Sequence, residues 1–271
     1  MRFESVRGLA IPKVGFGTWN IGGGYKAAPY RDQSSLRVLL SAIEIGYTHF
    51  DTAETYAAGH SEELLGLALR EARVDRGDVF VTTKVAPQHL SYDAVLESCR
   101  QSLERLRTDY VDVYLIHWPG PRMELGSAFE ALNELVERGE VRHVGVSNFG
   151  AKLLREAVQR CRTPIFTNQV PYSLEERTYA QNGVLQYCRD QGIVLTAYSP
   201  FEQGKLSPGQ VLNAIAATRS VTTYQIALAW LCCQSGVITI PMSKDPQHQL
   251  QNLEAADIIL TPQEMELLAD V

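Results

Sequence analysis

VFVTTKVAPQHLSYDAVLESCRQSLERLRTDYVDVYLIH, residues 79–117, holds two short β-rich runs separated by one longer segment of helical periodicity. The runs VFVTT and VDVYLI have the β-branched and aromatic content that is typical of strands. Between them Ser91 is a candidate helix N-cap, and the apolar residues behind it recur at steps of three and four: Val95, Cys99, Leu103 and Leu106. A strand, a helix and a second strand in this order predict a right-handed βαβ unit with parallel strands.

The same alternation continues along the whole chain without a linker. The β-rich runs lie at 13–17, 47–50, 79–83, 111–116, 141–146, 164–167, 192–197 and 236–240. Eight such runs separated by helical segments are typical of a closed (β/α)8 barrel, and an open doubly wound sheet is the main alternative. We therefore predict an α/β fold, with a single (β/α)8 TIM barrel domain over residues 1–271. A short N-terminal β-hairpin, RFESVRGLAI at 2–11, is expected to close the barrel floor.

The composition is that of a folded, soluble protein. Of the 271 residues, 45% are hydrophobic and 21% are charged, which disfavours intrinsic disorder. The formal net charge of −6 argues against a nucleic-acid partner, and no apolar run approaches the roughly 18 residues of a membrane span. The five cysteines form no C-x-x-C pair, so we expect reduced core thiols and no metal site. Reduced thiols fit a cytoplasmic protein. We also expect a monomer.

Polar side chains stand directly after several of the predicted strands. Asp51, Lys84 and His117 follow three consecutive runs, and more polar groups follow the later runs: Ser147, Asn148, Gln169, Tyr198 and Ser199. In a (β/α)8 barrel the carboxyl ends of the strands meet at one mouth, where active sites lie. Each residue also has a structural alternative, since Asp51 and Glu54 have the spacing of a helix capping box and Lys84 alone would be a solvated lysine. Placing several ionisable groups at one mouth is costly unless they pair, so together they indicate a catalytic site.

Tyr56 completes a group of residues with a specific acid–base chemistry. A tyrosine hydroxyl, with an ordinary pKa of about 10, is a weak acid at neutral pH. A lysine ammonium beside it favours the phenolate and lowers that pKa, while an aspartate beside the lysine keeps the ammonium charged. Asp51, Lys84 and Tyr56 would supply these parts, and His117 would donate a hydrogen bond to a carbonyl oxygen. We assign Glu54 no catalytic role.

These residues lie within motifs that resemble those of the aldo-keto reductase superfamily. The motifs occur in the order of that family over nearly the whole chain: VGFGTWN, FDTAETY, VTTKV, TDYVDVYLIHWP, VRHVGVSNF, TNQVPYS, AYSPF and IPMSK. The resemblance implies a (β/α)8 barrel and an NAD(P)H-dependent reductase of aldehydes or ketones. It also implies that Asp51, Tyr56, Lys84 and His117 are the catalytic residues, with Tyr56 as the proton donor.

The expected cofactor residues come from the same resemblance, because GFGTWN at 15–20 has Asn20 where a dinucleotide-binding fingerprint needs its third glycine. Nicotinamide and ribose are expected near Thr18, Trp19 and Asp51. The other expected cofactor-binding residues are Ser147, Asn148, Gln169, Tyr198, Ser199, Ser243, Lys244, His248, Gln251 and Asn252. Met242 and His248 stand where NADPH-preferring relatives carry lysine and arginine. Ser243 and Lys244 remain as partners for a 2′-phosphate, so NADPH is expected as the preferred cofactor. The weaker charge at Met242 and His248 leaves NADH open.

Aromatic residues are the candidate wall of the substrate pocket: Trp19, Tyr25, Trp118 and Phe201. The loop at 199–209 is modest and only a short tail follows the last helix, so we expect an open site that accepts many small carbonyl substrates. The alternative function is an NADP(H)-binding regulatory or sensor subunit with little catalytic activity.

Overall fold

The strands of the computed structural model, which describes residues 2–120, 125–204, 206 and 209–269, coincide with the predicted runs. A two-stranded antiparallel hairpin comes first, and a sheet of eight strands follows it. The strands are β1 (Phe3–Val6), β2 (Leu9–Pro12), β3 (Phe16–Gly17), β4 (His49–Asp51), β5 (Phe80–Val85), β6 (Val111–Ile116), β7 (Val141–Ser147), β8 (Ile165–Pro171), β9 (Val194–Tyr198) and β10 (Val237–Thr239). Every predicted run overlaps one strand of the sheet, and five of the strands extend beyond the carboxyl end of their run.

Helices follow the strands of the sheet. They are α1 (Asp32–Ile45), α2 (His60–Glu71), α3 (Tyr92–Leu106), α4 (Leu125–Glu137), α5 (Ala151–Arg160), α6 (Thr178–Gln181), α7 (Val184–Gln191), α8 (Gln210–Arg219), α9 (Thr223–Cys232), α10 (Pro246–Glu254) and α11 (Pro262–Ala269). The α3 helix begins after Ser91 as predicted, although the Ser91 side chain makes no capping hydrogen bond. Among the described residues, no helix combines the length and the apolar character needed to cross a membrane.

The strand order of the sheet is the order of the strands in the chain, from β3 to β10. Paired strands run parallel, with Asp51 opposite Thr82 and Lys84 opposite Leu115. Just before β3, Val14 bridges in parallel to Thr239 of β10, and Gly15 N donates to Thr239 O at 2.8 Å. This cyclic order is that of the predicted (β/α)8 barrel, and it excludes a doubly wound sheet, in which the strand order reverses.

One of two compact units of the chain comprises Phe16–Asn168. Its β6 strand is buried along its full length, as expected for a strand of a parallel sheet with both faces covered. The predicted apolar face of α3 is buried as well. This packing holds the carboxyl ends of β4, β5 and β6 in fixed positions, which matters because polar side chains stand there.

The other unit comprises Met1–Gly15 and Gln169–Val271. Its hairpin lies at the amino-terminal ends of β9 and β10, which is the floor side of a barrel, as predicted. Arg7 donates to Gln191 O at 3.2 Å, and Lys13 Nζ donates to Gln234 O at 2.8 Å and to Val237 O at 3.0 Å. The α9 helix of this unit is buried along most of its length and begins with a capping box. The expectation of one domain over residues 1–271 stays a prediction.

Candidate active site

A buried ion pair joins the carboxyl ends of two neighbouring strands. Asp51 ends β4 and Lys84 lies near the end of β5, and both side chains are almost entirely shielded from solvent. Lys84 Nζ donates to Asp51 Oδ1 at 2.5 Å and to the carbonyl oxygen of Thr52 at 2.7 Å. The capping-box alternative for Asp51 is wrong, because the helical segments that follow have Thr55 and Gly59 as their N-caps.

The Tyr56 hydroxyl is the third hydrogen-bond partner of Lys84, with Nζ and the phenol oxygen 3.3 Å apart. A tight turn follows this tyrosine, in which Ala57, Ala58 and Gly59 all have positive φ values of 52°, 56° and 91°. Left-handed backbone is uncommon for alanine and costs free energy, so the surrounding structure must hold it. The turn is fixed in part by Ala57 N, which donates to Gly24 O at 2.6 Å.

His117 directly follows β6 and lies edge-on to Tyr56, with ring centroids 5.6 Å apart and an interplanar angle of 74°. Its Nδ1 is 3.1 Å from Thr55 Oγ1. Its backbone is held on both sides, because His117 N donates to Val85 O and Asn148 Nδ2 donates to His117 O. The structure thus brings Asp51, Tyr56, Lys84 and His117 into one cluster.

Burial and mutual interactions set the protonation state of this cluster. Burial lowers the pKa of Lys84, but the combined effect of Asp51 and Tyr56 is larger, so this pKa lies above its ordinary value. Burial raises the pKa of Tyr56, against the opposing charge of Lys84. Burial and the Lys84 charge lower the pKa of His117 to about 3. At neutral pH the protein therefore holds Lys84 charged, while Tyr56 and His117 stay neutral.

The rise in the Tyr56 pKa differs from the expectation that Lys84 would lower it. The interaction with Lys84 does have the expected sign, but the loss of hydration of the buried phenolate is the larger effect. A protonated phenol is the state that a proton donor requires, so this correction supports the expected role of the residue.

Two of the predicted substrate residues lie next to Tyr56. The Trp19 ring meets Tyr56 edge-on at 5.1 Å and Tyr25 at 5.0 Å. Tyr25 is 79% exposed and Trp118, the neighbour of His117 in sequence, is 48% exposed. These aromatic faces are available to an apolar ligand.

Phe201 lies in the other unit, where its ring packs edge-on against Tyr224 at 5.0 Å. The predicted loop at 199–209 includes Lys205, Ser207 and Pro208, which lie outside the described residues.

Uncharged polar side chains cluster at the ends of β3 and β7. Thr18 is buried, and its hydroxyl accepts a hydrogen bond from Ser61 at 2.9 Å. Ser147 and Asn148 are also buried, and Asn148 Nδ2 donates to Ser147 Oγ at 2.9 Å. Neither residue caps the following helix, because Gly150 is the N-cap of α5. Hydroxyl and amide groups can both donate and accept, as a carboxamide ligand requires.

In the other unit, the predicted cofactor residues divide into buried and exposed groups. Gln169 and Asn252 are buried, Tyr198, Ser199, Ser243 and Gln251 are partly buried, and Lys244 and His248 are exposed. Asp245, which the sequence reasoning did not single out, caps α10 and accepts from Gln247 N at 2.8 Å and from His248 N at 3.3 Å. A carboxylate therefore already occupies this helix terminus.

Sequence reasoning also missed a second buried ion pair behind the cluster. Glu62 lies in the first turn of α2, and its fully buried side chain accepts from Thr83 at 2.5 Å and from Arg105 at 2.7 Å. Burial raises the pKa of Glu62 despite the charge of Arg105. Thr83 precedes Lys84, so this pair fixes β5 from the opposite face. A pairing over such a long sequence separation leaves no local signal. Glu54, by contrast, serves the turn as expected, since it accepts from Ala86 N.

Sequence comparison finds similarity to one family along nearly the whole chain. The sequence model of the Aldo/keto reductase family matches residues 13–271. The glyoxal reductase of Bacillus subtilis (strain 168) is 34% identical over 259 residues, covering 96% of this chain and 88% of that protein. The methylglyoxal reductase DkgB of Escherichia coli O157:H7 is 34% identical over 265 residues, covering 96% of this chain and 93% of that protein.

Solved structures have the same fold. The thermostable aldo-keto reductase Tm1743, in complex with the inhibitor epalrestat, is 42% identical with a TM-score of 0.97, covering 100% of this chain and 99% of its own. An aldo/keto reductase from Klebsiella pneumoniae, in complex with NADP and acetate, is 34% identical with a TM-score of 0.87, covering 99% of this chain and 94% of its own.

Proposed function

Because the chain belongs to the Aldo/keto reductase family, it is an NADP-dependent oxidoreductase of carbonyl groups, and we propose that Asp51, Tyr56, Lys84 and His117 perform its acid–base chemistry. The observation that supports this assignment best is the placement of Lys84 Nζ, which hydrogen-bonds both the Asp51 carboxylate and the Tyr56 hydroxyl.

We propose a separate task for each side chain. Tyr56, protonated at neutral pH, gives its proton to the carbonyl oxygen as that oxygen gains charge. Lys84 stabilises the phenolate that remains, and Asp51 keeps the ammonium charged and oriented. Neutral His117 donates a hydrogen bond to the same oxygen, which holds the carbonyl group beside Tyr56. A bound nicotinamide cofactor supplies the hydride.

The expected cofactor residues have the chemistry that a nicotinamide dinucleotide needs. Thr18, Ser147 and Gln169 offer uncharged, buried donors and acceptors for a carboxamide and a ribose. Asn148 Nδ2 donates to His117 O and to Ser147 Oγ, so we propose that Asn148 orients His117 and Ser147. Tyr198 would stack on the nicotinamide ring, and Trp19 would contact the ribose. Ser199, which follows Tyr198 in sequence, would add a further hydrogen-bonding group.

We propose that NADPH is preferred by a small margin and that NADH is used as well. Ser243, Lys244, His248, Gln251 and Asn252 are the residues expected to bind the adenosine end. Lys244 offers one exposed cation for a 2′-phosphate, and Met242 offers none. The Asp245 carboxylate caps α10 at the helix terminus that a phosphate would otherwise use, which weakens the preference further.

For the substrate, we propose small aldehydes and dicarbonyl compounds. This rests on the relatives described as glyoxal and methylglyoxal reductases and on the exposed rings of Tyr25 and Trp118. Phe201 would add a further apolar contact. The unpaired state of all five cysteines is consistent with a reducing compartment such as the cytoplasm.

Oxidation of NADPH and NADH, measured with a panel of small aldehydes, tests the proposal. We expect turnover by the wild type and a loss of about 10²- to 10⁴-fold in kcat for Tyr56→Phe, because the proton donor is lost. Tyr30→Phe, at an 82% exposed tyrosine, is the matched control and should keep full activity. Tight cofactor binding without turnover would instead favour the sensor subunit, and equal rates for Tyr56→Phe and the wild type would reject the assigned proton donor.

A further inference from the structure

The imidazole of His117 has one hydrogen-bond partner on one edge and an open nitrogen on the other. Thr55 Oγ1 lies 3.1 Å from Nδ1. Among the described residues, none hydrogen-bonds to Nε2, and the Thr55 hydroxyl has no partner other than His117 Nδ1. Thr55 immediately precedes Tyr56 in the chain, so the imidazole is bonded to the same segment that carries the phenol.

A neutral imidazole carries its proton on only one nitrogen, and the contact with Thr55 distinguishes the two possibilities. With the proton on Nδ1, the ring would donate to Thr55, and the hydrogen of the threonine hydroxyl would find no acceptor among the described residues. With the proton on Nε2, the hydroxyl donates to the bare Nδ1 and is satisfied. Either tautomer leaves one donor without a partner among the described residues: the Thr55 hydroxyl when Nδ1 is protonated, and Nε2–H when Nε2 is protonated. The Nε2–H tautomer places that donor on the open edge of the ring, where a ligand can accept from it.

The same tautomer is the one that carbonyl reduction requires. A carbonyl oxygen can only accept, so a neutral histidine that faces it must present an N–H group. The low pKa of His117 prevents the ring from supplying a second N–H by protonation. One hydroxyl on the opposite edge of the ring thus decides whether the open edge donates or accepts.

We propose that Thr55 is a positioning residue that holds His117 in its Nε2–H tautomer. The hydrogen bond also fixes the rotation of the ring about its side-chain bonds, relative to the neighbouring Tyr56. The proposal rests on the proposed function for its catalytic consequence, but the tautomer itself is a property of the free protein. Thr55 does not contact the reacting atoms in this scheme and acts through His117.

Proton–nitrogen correlation spectra of the free protein with isotope-labelled histidine test the tautomer directly. His117→Gln, which deletes one set of signals, assigns the resonance. We expect wild-type His117 to have a protonated Nε2 and a bare, hydrogen-bonded Nδ1. Thr55→Val, which keeps the shape of the side chain but removes the hydroxyl, should give a mixture of both tautomers. Thr55→Ser should retain the wild-type signals.

Steady-state kinetics provide the second measurement. We expect Thr55→Val to lower kcat by about 5- to 10-fold with little change in KM, since one net hydrogen bond is lost during the reaction. Thr55→Ser should recover most of that loss. Thr218→Val is the matched control. It removes an exposed hydroxyl that donates a hydrogen bond to Ala214 O within α8. Thermal unfolding of each variant checks that the fold is intact.

The outcomes separate this proposal from the proposed function. A wild-type spectrum with the proton on Nδ1 would overturn the role of Thr55 even if the enzyme reduces aldehydes. This outcome does not depend on whether any Thr55 variant folds. An unchanged tautomer and unchanged kcat in Thr55→Val would do the same. If the wild type has the Nε2–H tautomer, Thr55→Val disturbs it and the protein shows no turnover, the role of Thr55 is retained and the proposed reductase chemistry is rejected.

Discussion

Two charged regions of the molecule are built in opposite ways. The proposed catalytic cluster of Asp51, Tyr56, Lys84 and His117 is largely buried, and its charges are bonded to one another. The start of α10 is exposed, and its cation Lys244 lies beside the Asp245 carboxylate in sequence. A charge pair in a low dielectric interacts strongly, whereas exposed charges are screened by water and salt. In the proposed scheme, strong buried interactions therefore fix the acid–base groups, whereas weak exposed interactions set the cofactor preference.

Removing the buried cation gives the largest effect that this comparison predicts. Lys84→Met leaves the Asp51 carboxylate buried without its partner, so we expect the free energy of unfolding to fall by about 3–5 kcal/mol and turnover to be abolished. Chemical denaturation measures the first and cofactor oxidation the second. The double variant Asp51→Asn, Lys84→Met should regain most of the stability but none of the activity.

Lys244→Met is the exposed counterpart of that change. Its free energy of unfolding should stay within about 0.5 kcal/mol of the wild type, as for most surface substitutions. Equal destabilisation by both lysine substitutions would remove the proposed distinction between the two regions.

The pH dependence of stability is a second test of the contrast between buried and exposed groups. The expected change in the free energy of unfolding is of intermediate size. His49, buried in β4 beneath the cluster, has a pKa lowered to about 3 by burial and by the charge of Lys84. Below the ordinary histidine pKa the unfolded chain binds a proton that the folded protein does not. Stability should therefore fall by up to about 1.4 kcal/mol per pH unit from this residue between pH 6.5 and pH 3, and level off above pH 6.5.

His49→Phe tests this source of acid sensitivity, because phenylalanine can keep the edge contact with Phe80. We expect a shallower loss of stability on acidification, measured by denaturation at a series of pH values. His248→Gln on the exposed start of α10 supplies the baseline for the loss of an imidazole. An identical slope for His49→Phe and the wild type would mean that other groups cause the acid sensitivity.

The smallest predicted effect concerns cofactor preference at α10. Met242→Lys adds a cation for a 2′-phosphate, so we expect kcat/KM to rise about 2- to 5-fold for NADPH and to change little for NADH, as exposed ion pairs contribute little. The gain should shrink as salt is added, because exposed charges are screened. Leu250→Lys, an exposed change further along α10, is the control for added charge. A gain of the same size for NADH would show that the 2′-phosphate is not the group recognised.

The fold and the residues of the proposed catalytic cluster could be predicted from the sequence, because both leave patterns within short segments of the chain. A (β/α)8 barrel repeats one strand–helix period, and all eight predicted runs became strands. Asp51, Lys84 and His117 were found because the carboxyl ends of parallel strands converge. Tyr56 followed because its hydroxyl needs such neighbours to act as an acid.

What the tertiary structure alone decided are the contacts between segments that are distant in sequence. The burial of Glu62 against Arg105, the capping of α10 by Asp245 and the upward direction of the Tyr56 pKa could not be derived from local patterns. The hydrogen bond between Thr55 and His117 spans two strand ends, and no periodicity marks it. The sequence determined which chemical groups the active site contains, whereas folding determined which atoms they meet and how far each is removed from water. Those two quantities set the protonation states on which the chemistry depends.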